Sequence, residues 1–429
     1  MNTQPSIDIN RALRNSLAIV MAGGRGARLM NLTESEAKPA MPFGGKYRII
    51  DFTLSNCINS GLRRIAVLTQ YKSHTLIHHL QRGWGFLRAE LNEFVELWPA
   101  QQQTPNGSWY KSTADAVFQN LDLIREHDPA HVIILGGDHI YKQDYGSMLA
   151  DHIEKSADVT VGCLAVPRMS ATGFGVVHVD DNDFITDFIE KSLDPPCIPG
   201  QPDMAFASMG IYIFNRDYLL EALKTDACNP DSDHDFGKNV IPNSMGKAKV
   251  LAHRFDRSCI MTEGATEPYW RDVGTVDAYY EANMDLTAIT PSLDMYDPNW
   301  PIWTYQRQLP PAKFIFDNDG RRGQAIDSLV SAGCIVSGAS IHRSLLFSGV
   351  RVRSYALVED TVILPGSEVG RHSRIRRAVI DSGCILPKHT IIGENSSHDA
   401  ERFHVTDNGV ILVTRTMVDK LRHEMGIAA

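Results

Sequence analysis

Between residues 329 and 391 apolar side chains return every six positions: Leu329, Ile335, Ile341 and Phe347; Val350, Ala356 and Val362; Val369 and Ile375; Val379, Ile385 and Ile391. Two stretches echo each other, Ile363 to Gly370 (ILPGSEVG) and Ile385 to Gly393 (ILPKHTIIG). A helix repeats every 3.6 residues and a half-buried sandwich strand every two, so neither uses this interval. A parallel β-helix does, because each flat face of a coil sends one aliphatic side chain inward. The hexads suffice for about three to four coils, few enough that such a unit leans on the rest of the chain. Val410 to Val413 and Thr416 to Arg422 then read as a strand and a closing helix.

Upstream the rhythm is different. From Leu17 to about Leu286 short apolar runs alternate with helix-length amphipathic segments, which predicts an α/β unit with a mostly parallel sheet. Leu17–Met21, Arg64–Thr69, His131–Leu135 and Val159–Val166 read as strands; Ser73–Gln81 and Thr113–His127 read as helices, the second opened by a Ser-Thr capping pair. Pro, Trp, Tyr and Asp crowd residues 291–311 without a period. The expected division is therefore 1–290, a linker or docking segment 291–327, and 328–429.

Composition narrows the function. The 429 residues carry a formal charge of -9, which argues against a general nucleic-acid or anionic-membrane binder, so an anionic substrate must meet a local basic patch. Seven cysteines, none closer than 31 positions to the next, suggest neither a disulfide framework nor a metal knuckle, and a reducing cytoplasm fits. Residues 1–16 lack an apolar signal core, and no apolar run is long enough to span a bilayer.

The patch exists. Directly after the first strand stands AGGRGARL, residues 22–29, where Gly23, Gly24 and Gly26 leave backbone N–H groups free to face a phosphate and Arg25 and Arg28 add charge. It is neither a Walker A loop nor a dinucleotide fingerprint. Residues 22–48 hold five basic and two acidic side chains, a local +3 suited to a polyphosphate. Asp138, in HVIILGGDHIY (131–141), stands just past a strand's carboxyl end, either as a hard ligand for Mg²⁺ or as a helix cap; His139 beside it is a packing residue or a support behind the ligands rather than a ligand itself. Asp272 in YWRDVGT (269–275) is a second carboxylate that sequence cannot bring to the first. The pair Glu190-Lys191, taken alone, is a solvated strand end. No Ser-His-Asp order, HExxH helix or catalytic cysteine pair is evident.

Together with Lys38-Pro39 (AKPA), FGGKYRIIDFTLSNCINSG (43–61), WYKSTADAV (109–117), ASMGIYIF (207–214) and HDFGK (234–238), these blocks resemble the bacterial glucose-1-phosphate adenylyltransferases along nearly the whole chain. The resemblance implies a Rossmann-like nucleotidyltransferase domain followed by a left-handed β-helix. It implies adenylyl transfer from ATP to α-D-glucose 1-phosphate, releasing pyrophosphate, as the committed step of glycogen synthesis. It places Gly23, Gly24, Gly26, Arg28, Lys38, Gln70 and Tyr110 with ATP. Gly175, Glu190, Lys191, Ser208, Tyr212 and Asp235 fall with glucose 1-phosphate, and Asp138 and Asp272 with Mg²⁺. Arg28, Lys38 and Asp138 are the expected catalytic residues. It further implies a cytoplasmic homotetramer governed by anionic metabolites such as fructose 6-phosphate or pyruvate, with AMP, phosphate or pyrophosphate as inhibitors. Residues 343–377 carry seven arginines against three acids, and Arg48, Arg374, Arg376 and Arg415 are the effector candidates. Ser35 stands where enteric relatives place an activator lysine, which argues against fructose 1,6-bisphosphate. Three further departures are Ala27 for a small hydroxyl residue, Ser112 for a glycine, and Ser192 for the proline of a Glu-Lys-Pro motif.

Overall fold

The computed structural model describes residues 8–24, 26–33, 36–101, 109–318, 320–424 and 426. Its first unit is built on a nine-stranded sheet: β1 (Ser16–Met21), β2 (Arg64–Thr69), β3 (Phe94–Pro99), β4 (His131–Gly136), β5 (Val159–Pro167), β6 (Gly175–Val179), β7 (Ile185–Glu190), β8 (Met204–Asn215) and β9 (Val250–Arg254). The order is β7-β6-β8-β4-β1-β2-β3, with β5 also on β8 and β9 on β5. Pairing is parallel through β4-β1-β2-β3, where β4, β1 and β2 are apolar runs buried on both faces and β3 is a half-buried edge, and antiparallel around β8. The predicted helix 113–127 is two, Thr113–Phe118 and Leu121–His127, yet Val117, Leu121 and Ile124 all reach the core as one stripe.

His152, on the helix Tyr145–Glu154, is buried between Thr160 Oγ1 at 2.7 Å from Nδ1 and Asn215 Oδ1 at 3.1 Å from Nε2. Those partners satisfy a neutral ring, and burial pushes the imidazole down to about 4. Above the ordinary value near 6.5 the ring is neutral folded or unfolded; below it the unfolded chain takes the proton first. Stability is therefore expected to fall between about pH 6.5 and 4, by on the order of 3 kcal/mol from this group. Urea melts of His152→Asn beside the parent check this, since the variant should lose that slope.

The second unit is the left-handed parallel β-helix. Two of its faces are five-stranded sheets, the third has six strands, and all run parallel apart from the closing pair His404–Val405 and Ile411–Val413. Its first strand, Lys313–Ile315, falls within 291–327, and the five strands exceed the three to four coils expected. Inward columns run Val336-Val352-Val369-Leu386 and Ile341-Val358-Ile375-Ile392. These steps are 16 or 17 residues, so each coil falls short of three full hexads and the six-residue comb slips as it climbs. This corrects the last sequence run: Ile385 and Ile391 are 52% and 45% exposed, and Leu386 and Ile392 point inward instead.

The corners explain the step. Each is a left-handed backbone position repeated coil by coil: Gly333, Gly349, Gly366 and Gly383 at one, Gly338, Tyr355, His372 and His389 at the second, and Asp327, Arg343, Asp360 and Arg377 at the third. Tyr355, His372 and His389 stack at 4.7 and 5.0 Å, while Arg343 grips Asp360 through two bonds of 2.7 and 2.9 Å. The third face has apolar residues on both sides. Leu346, Ile363 and Ile380 fill the coil, whereas Leu345, Val362, Val379 and Leu412 pack with Val276, Tyr279 and Tyr280 of the helix Val276–Asp285. Tyr280 Oη also donates to Asp360 O at 2.7 Å, and Thr406 Oγ1 to Asp277 at 2.6 Å. The short β-helix is thus held by an apolar seam to the first unit.

Candidate active site

β1 and β4 are neighbours in register, Met21 opposite Gly136, so the chain leaving both strands enters one crevice. Gly137 N donates back to Met21 O at 3.0 Å, which fixes the glycine loop beside Asp138. A Cβ on Gly23 would lie 3.3 Å from Gln70 Cβ, placing Gln70 against the loop. Gly26, at φ +62°, meets the stem of Lys38, where a Cβ would come within 2.9 Å of Lys38 Cβ. Gly24 has open space before it, so the protein itself does not require its missing side chain. Arg25 and Ser35 lie outside the described residues.

No helix starts at Asp138, which removes the capping alternative: it sits between β4 and a short strand, His139–Tyr141. That strand pairs antiparallel with Trp270–Asp272, Asp272 opposite His139. This ribbon brings together two carboxylates that are far apart in sequence. Lys38 Nζ lies between them, 3.0 Å from Asp138 Oδ2 and 2.7 Å from Asp272 Oδ1, and Arg28 reaches Asp272 Oδ2 at 3.4 Å. Enclosure by itself would raise the Asp138 carboxyl, but His139 and the Lys38 ammonium outweigh it and hold the group down at about 2.

Two carboxylates around a buried cation are a fit for Mg²⁺, which takes oxygen ligands and completes its shell with water and substrate phosphates. Among the described residues no cluster of three or more His, Cys, Asp or Glu side chains offers a closed metal cage. The His139 ring lies 4.9 Å from that of Trp270, tilted by 50°, with its Nε2 3.6 Å from Asp138 Oδ1.

A second group of residues gathers on the far wall. A Cβ at Gly175 would meet Glu190 Oε2 at 2.8 Å, and one at Gly237 would lie 3.4 Å from the same oxygen, 3.5 Å from Asp235 Oδ1 and 3.9 Å from Tyr212 Oη. Glu190, Asp235 and Tyr212 therefore converge on one spot, and burial pushes the Tyr212 phenol up. Ser208 bonds to Tyr212 and receives Gly210 N at 3.4 Å. Lys191 follows β7 at φ +51°, with its ammonium exposed and 3.8 Å from Glu190.

Ser112 and Thr113 do not cap their helix. Both hydroxyls donate to Asp235 Oδ2 at 2.9 Å, while Asp235 Oδ1 receives Gly237 N and Lys238 N. Ser112 thus ties the segment before Thr113 to the far wall. Tyr110 is tied to the same region, its hydroxyl receiving Asn120 Nδ2 at 3.0 Å. The structure also holds one Asp-His-Ser chain, Asp151 to His253 at 2.7 Å and His253 to Ser258 Oγ at 2.8 Å. Ser258 is buried and its oxygen already receives Gln143 Nε2, so it is packing rather than a nucleophile.

A cavity of about 820 Å³ opens where the two units meet, and of the four effector candidates Arg48 lines it. Lys46, Arg48, His78, His79, Arg82 and Arg307 line it, and Asp51 locks His79 from behind at 2.6 Å. His78 and Arg82, four apart on the helix His74–Gly83, were a legible basic stripe; Arg307 arrives from the aperiodic segment and was not. Arg48 also pairs with Glu36 at 2.9 Å. Arg374, Arg376 and Arg415 do not line this cavity: Arg374 pairs with Glu394 at 2.7 Å, Arg376 stands 4.0 Å from Asp360, and Arg415 donates to Ser382 O at 2.6 Å.

Comparison with known proteins gives the family. The nucleotidyl transferase family profile matches residues 17–289, and the GlmU-like C-terminal hexapeptide profile matches 310–413. A glucose-1-phosphate adenylyltransferase of Rhodospirillum rubrum is 64% identical over 412 residues, covering 96% of this chain and 97% of that protein. Proteins of the same name from Paramagnetospirillum magneticum and Nitrosomonas europaea are 59% and 56% identical, over 96% and 99% of the chain and 96% and 99% of those proteins. With the glycine loop and paired carboxylates on one crevice, a nucleotidyl transferase match over the sheet unit and full-length relatives of one name, this chain is a nucleotidyltransferase and belongs to the glucose-1-phosphate adenylyltransferase family.

Proposed function

We propose that the protein joins ATP and α-D-glucose 1-phosphate to give ADP-glucose and pyrophosphate, the step that commits glucose to glycogen. The carrying observation is the crevice itself, with a glycine loop and Lys38 on one side and Glu190, Lys191 and Tyr212 on the other. A phosphate monoester has a second pKa of about 6, so glucose 1-phosphate is largely a dianion at neutral pH and needs no general base. Its phosphate oxygen attacks the α-phosphorus, the bond from that phosphorus to the bridging oxygen breaks, and the electron pair leaves with pyrophosphate. The protein's task is to hold two polyanions in line and balance the departing charge.

Lys191 grips the sugar phosphate, and Glu190, Ser208, Tyr212 and Asp235 shape the pocket around the hexose. Gly23, Gly24 and Gly26 wrap the nucleotide phosphates, with Arg28 and Lys38 against them and Gln70 and Tyr110 toward the base. Asp138 and Asp272 would hold Mg²⁺, whose contribution is neutralising charge on the α-phosphate and the leaving group.

Pyrophosphate release should require ATP, glucose 1-phosphate and Mg²⁺ together, with UTP, dTTP and GTP far poorer. Equal use of another nucleotide would assign a different sugar nucleotide, and tight ATP binding without release would make the chain a regulatory subunit. Regulation by anionic metabolites is supported by the basic cavity between the units. Fructose 6-phosphate or pyruvate should raise the rate at limiting substrate. No response to either, or to fructose 1,6-bisphosphate, would remove the regulatory reading. A homotetramer in the cytoplasm is the assembly and location proposed with this activity. Among the described residues no helix is long and apolar enough to cross a membrane.

A further inference from the structure

We propose that Lys38 is a built-in counter-cation that keeps the Asp138–Asp272 pair closed to a divalent ion until nucleotide phosphates draw its ammonium away. The inference rests on the metal-site reading above and adds an order of events to it. The ribbon that pairs Asp272 with His139 forces two carboxylates together, and like charges at such a distance repel. The ammonium between them, on a side chain only 5% exposed, cancels that repulsion by bonding one oxygen of each at 3.0 and 2.7 Å. A divalent ion held by the same pair would meet the ammonium's positive charge between the carboxylates. An ammonium and a divalent cation cannot share that spot, so the ion enters only as Nζ leaves.

The stem shows how it leaves. Lys38 Cβ is hemmed by the backbone of Gly26, so its root stays fixed while the four-carbon chain swings. Its root borders the glycine loop, where nucleotide phosphates would offer the ammonium new oxygens. Arg28 does not replace the lock, because its one contact with Asp272 is long and its side chain is 72% exposed. Nucleotide and metal then favour each other by the same factor, as linkage requires.

Mn²⁺, followed by electron paramagnetic resonance of the free ion in the absence of nucleotide, tests this. The parent protein should bind it weakly, Lys38→Met at least about tenfold more tightly, and Lys38→Arg within about threefold of the parent because it keeps the charge. Lys38→Gln is the second neutral variant should Lys38→Met fail to fold. Adding Asp272→Asn to the neutral variant should abolish the gain. Unchanged Mn²⁺ affinity in both neutral variants, or opening by Lys38→Arg as well, overturns the gate while leaving the metal site standing. Should no protein, with or without ATP, bind Mn²⁺ in a manner that depends on Asp272, the metal-site reading falls and the gate falls with it.

Discussion

Asp138→Asn is expected to lower turnover by about two to three orders of magnitude while leaving the ATP requirement within about threefold. Asparagine keeps the shape and loses the charge. Lys38 retains its 2.7 Å contact with Asp272, so the crevice should keep its form, and a thermal melt near that of the parent would confirm it. What disappears is half of the anionic pair that would hold Mg²⁺ against the α-phosphate. Because the carboxyl is held down at about 2, it is charged throughout the working range. Any acid limb in the parent's rate profile above about pH 4 must therefore belong to another group, the substrate phosphate with its second pKa near 6 foremost. Steady-state pyrophosphate release with saturating substrates is the measurement, and near-normal turnover would remove Asp138 from the site.

Lys191→Ala should raise the glucose 1-phosphate requirement by about 10- to 100-fold and change that for ATP by less than about twofold. A hydrogen bond to a charged group contributes about 1.5–3 kcal/mol, which converts to that range. The ammonium is exposed and only loosely held by Glu190 at 3.8 Å, so it has no structural partner to lose. Alanine at φ +51° is no more strained than lysine, which keeps β7 intact. Equal effects on both substrates would refute the assignment. Ser192, in place of the usual proline, receives Asp194 N at 3.2 Å and so closes the following turn by a hydroxyl rather than a ring.

Local pattern carried much of the architecture. The continuous apolar runs of β1, β2 and β4 and the glycine loop after β1 were legible because each is a contiguous stretch whose chemistry depends on its immediate neighbours. The same holds for Glu190-Lys191, which falls where β7 ends. The hexads disclosed a β-helix but not its phase. A coil of 16 or 17 residues falls one or two positions short of three hexads, and only closure against the coil below says where. Family resemblance, not spacing, was the reason to pair Asp138 with Asp272.

The sequence by itself determined that Leu17–Met21, Arg64–Thr69, His131–Leu135 and Val159–Val166 are strands and that a glycine-rich, locally basic turn follows the first of them. Tertiary structure decided the rest: Asp272 beside Asp138, Lys38 between them, Ser112 bonded to Asp235 rather than to its own helix, and Arg307 with Arg82 around one cavity. The physical reason is the range of the forces involved. Backbone conformation and apolar periodicity are set by neighbours a few residues away, whereas the meeting of charges depends on which strands pair across more than a hundred residues, and that is chosen by the packing of the whole core.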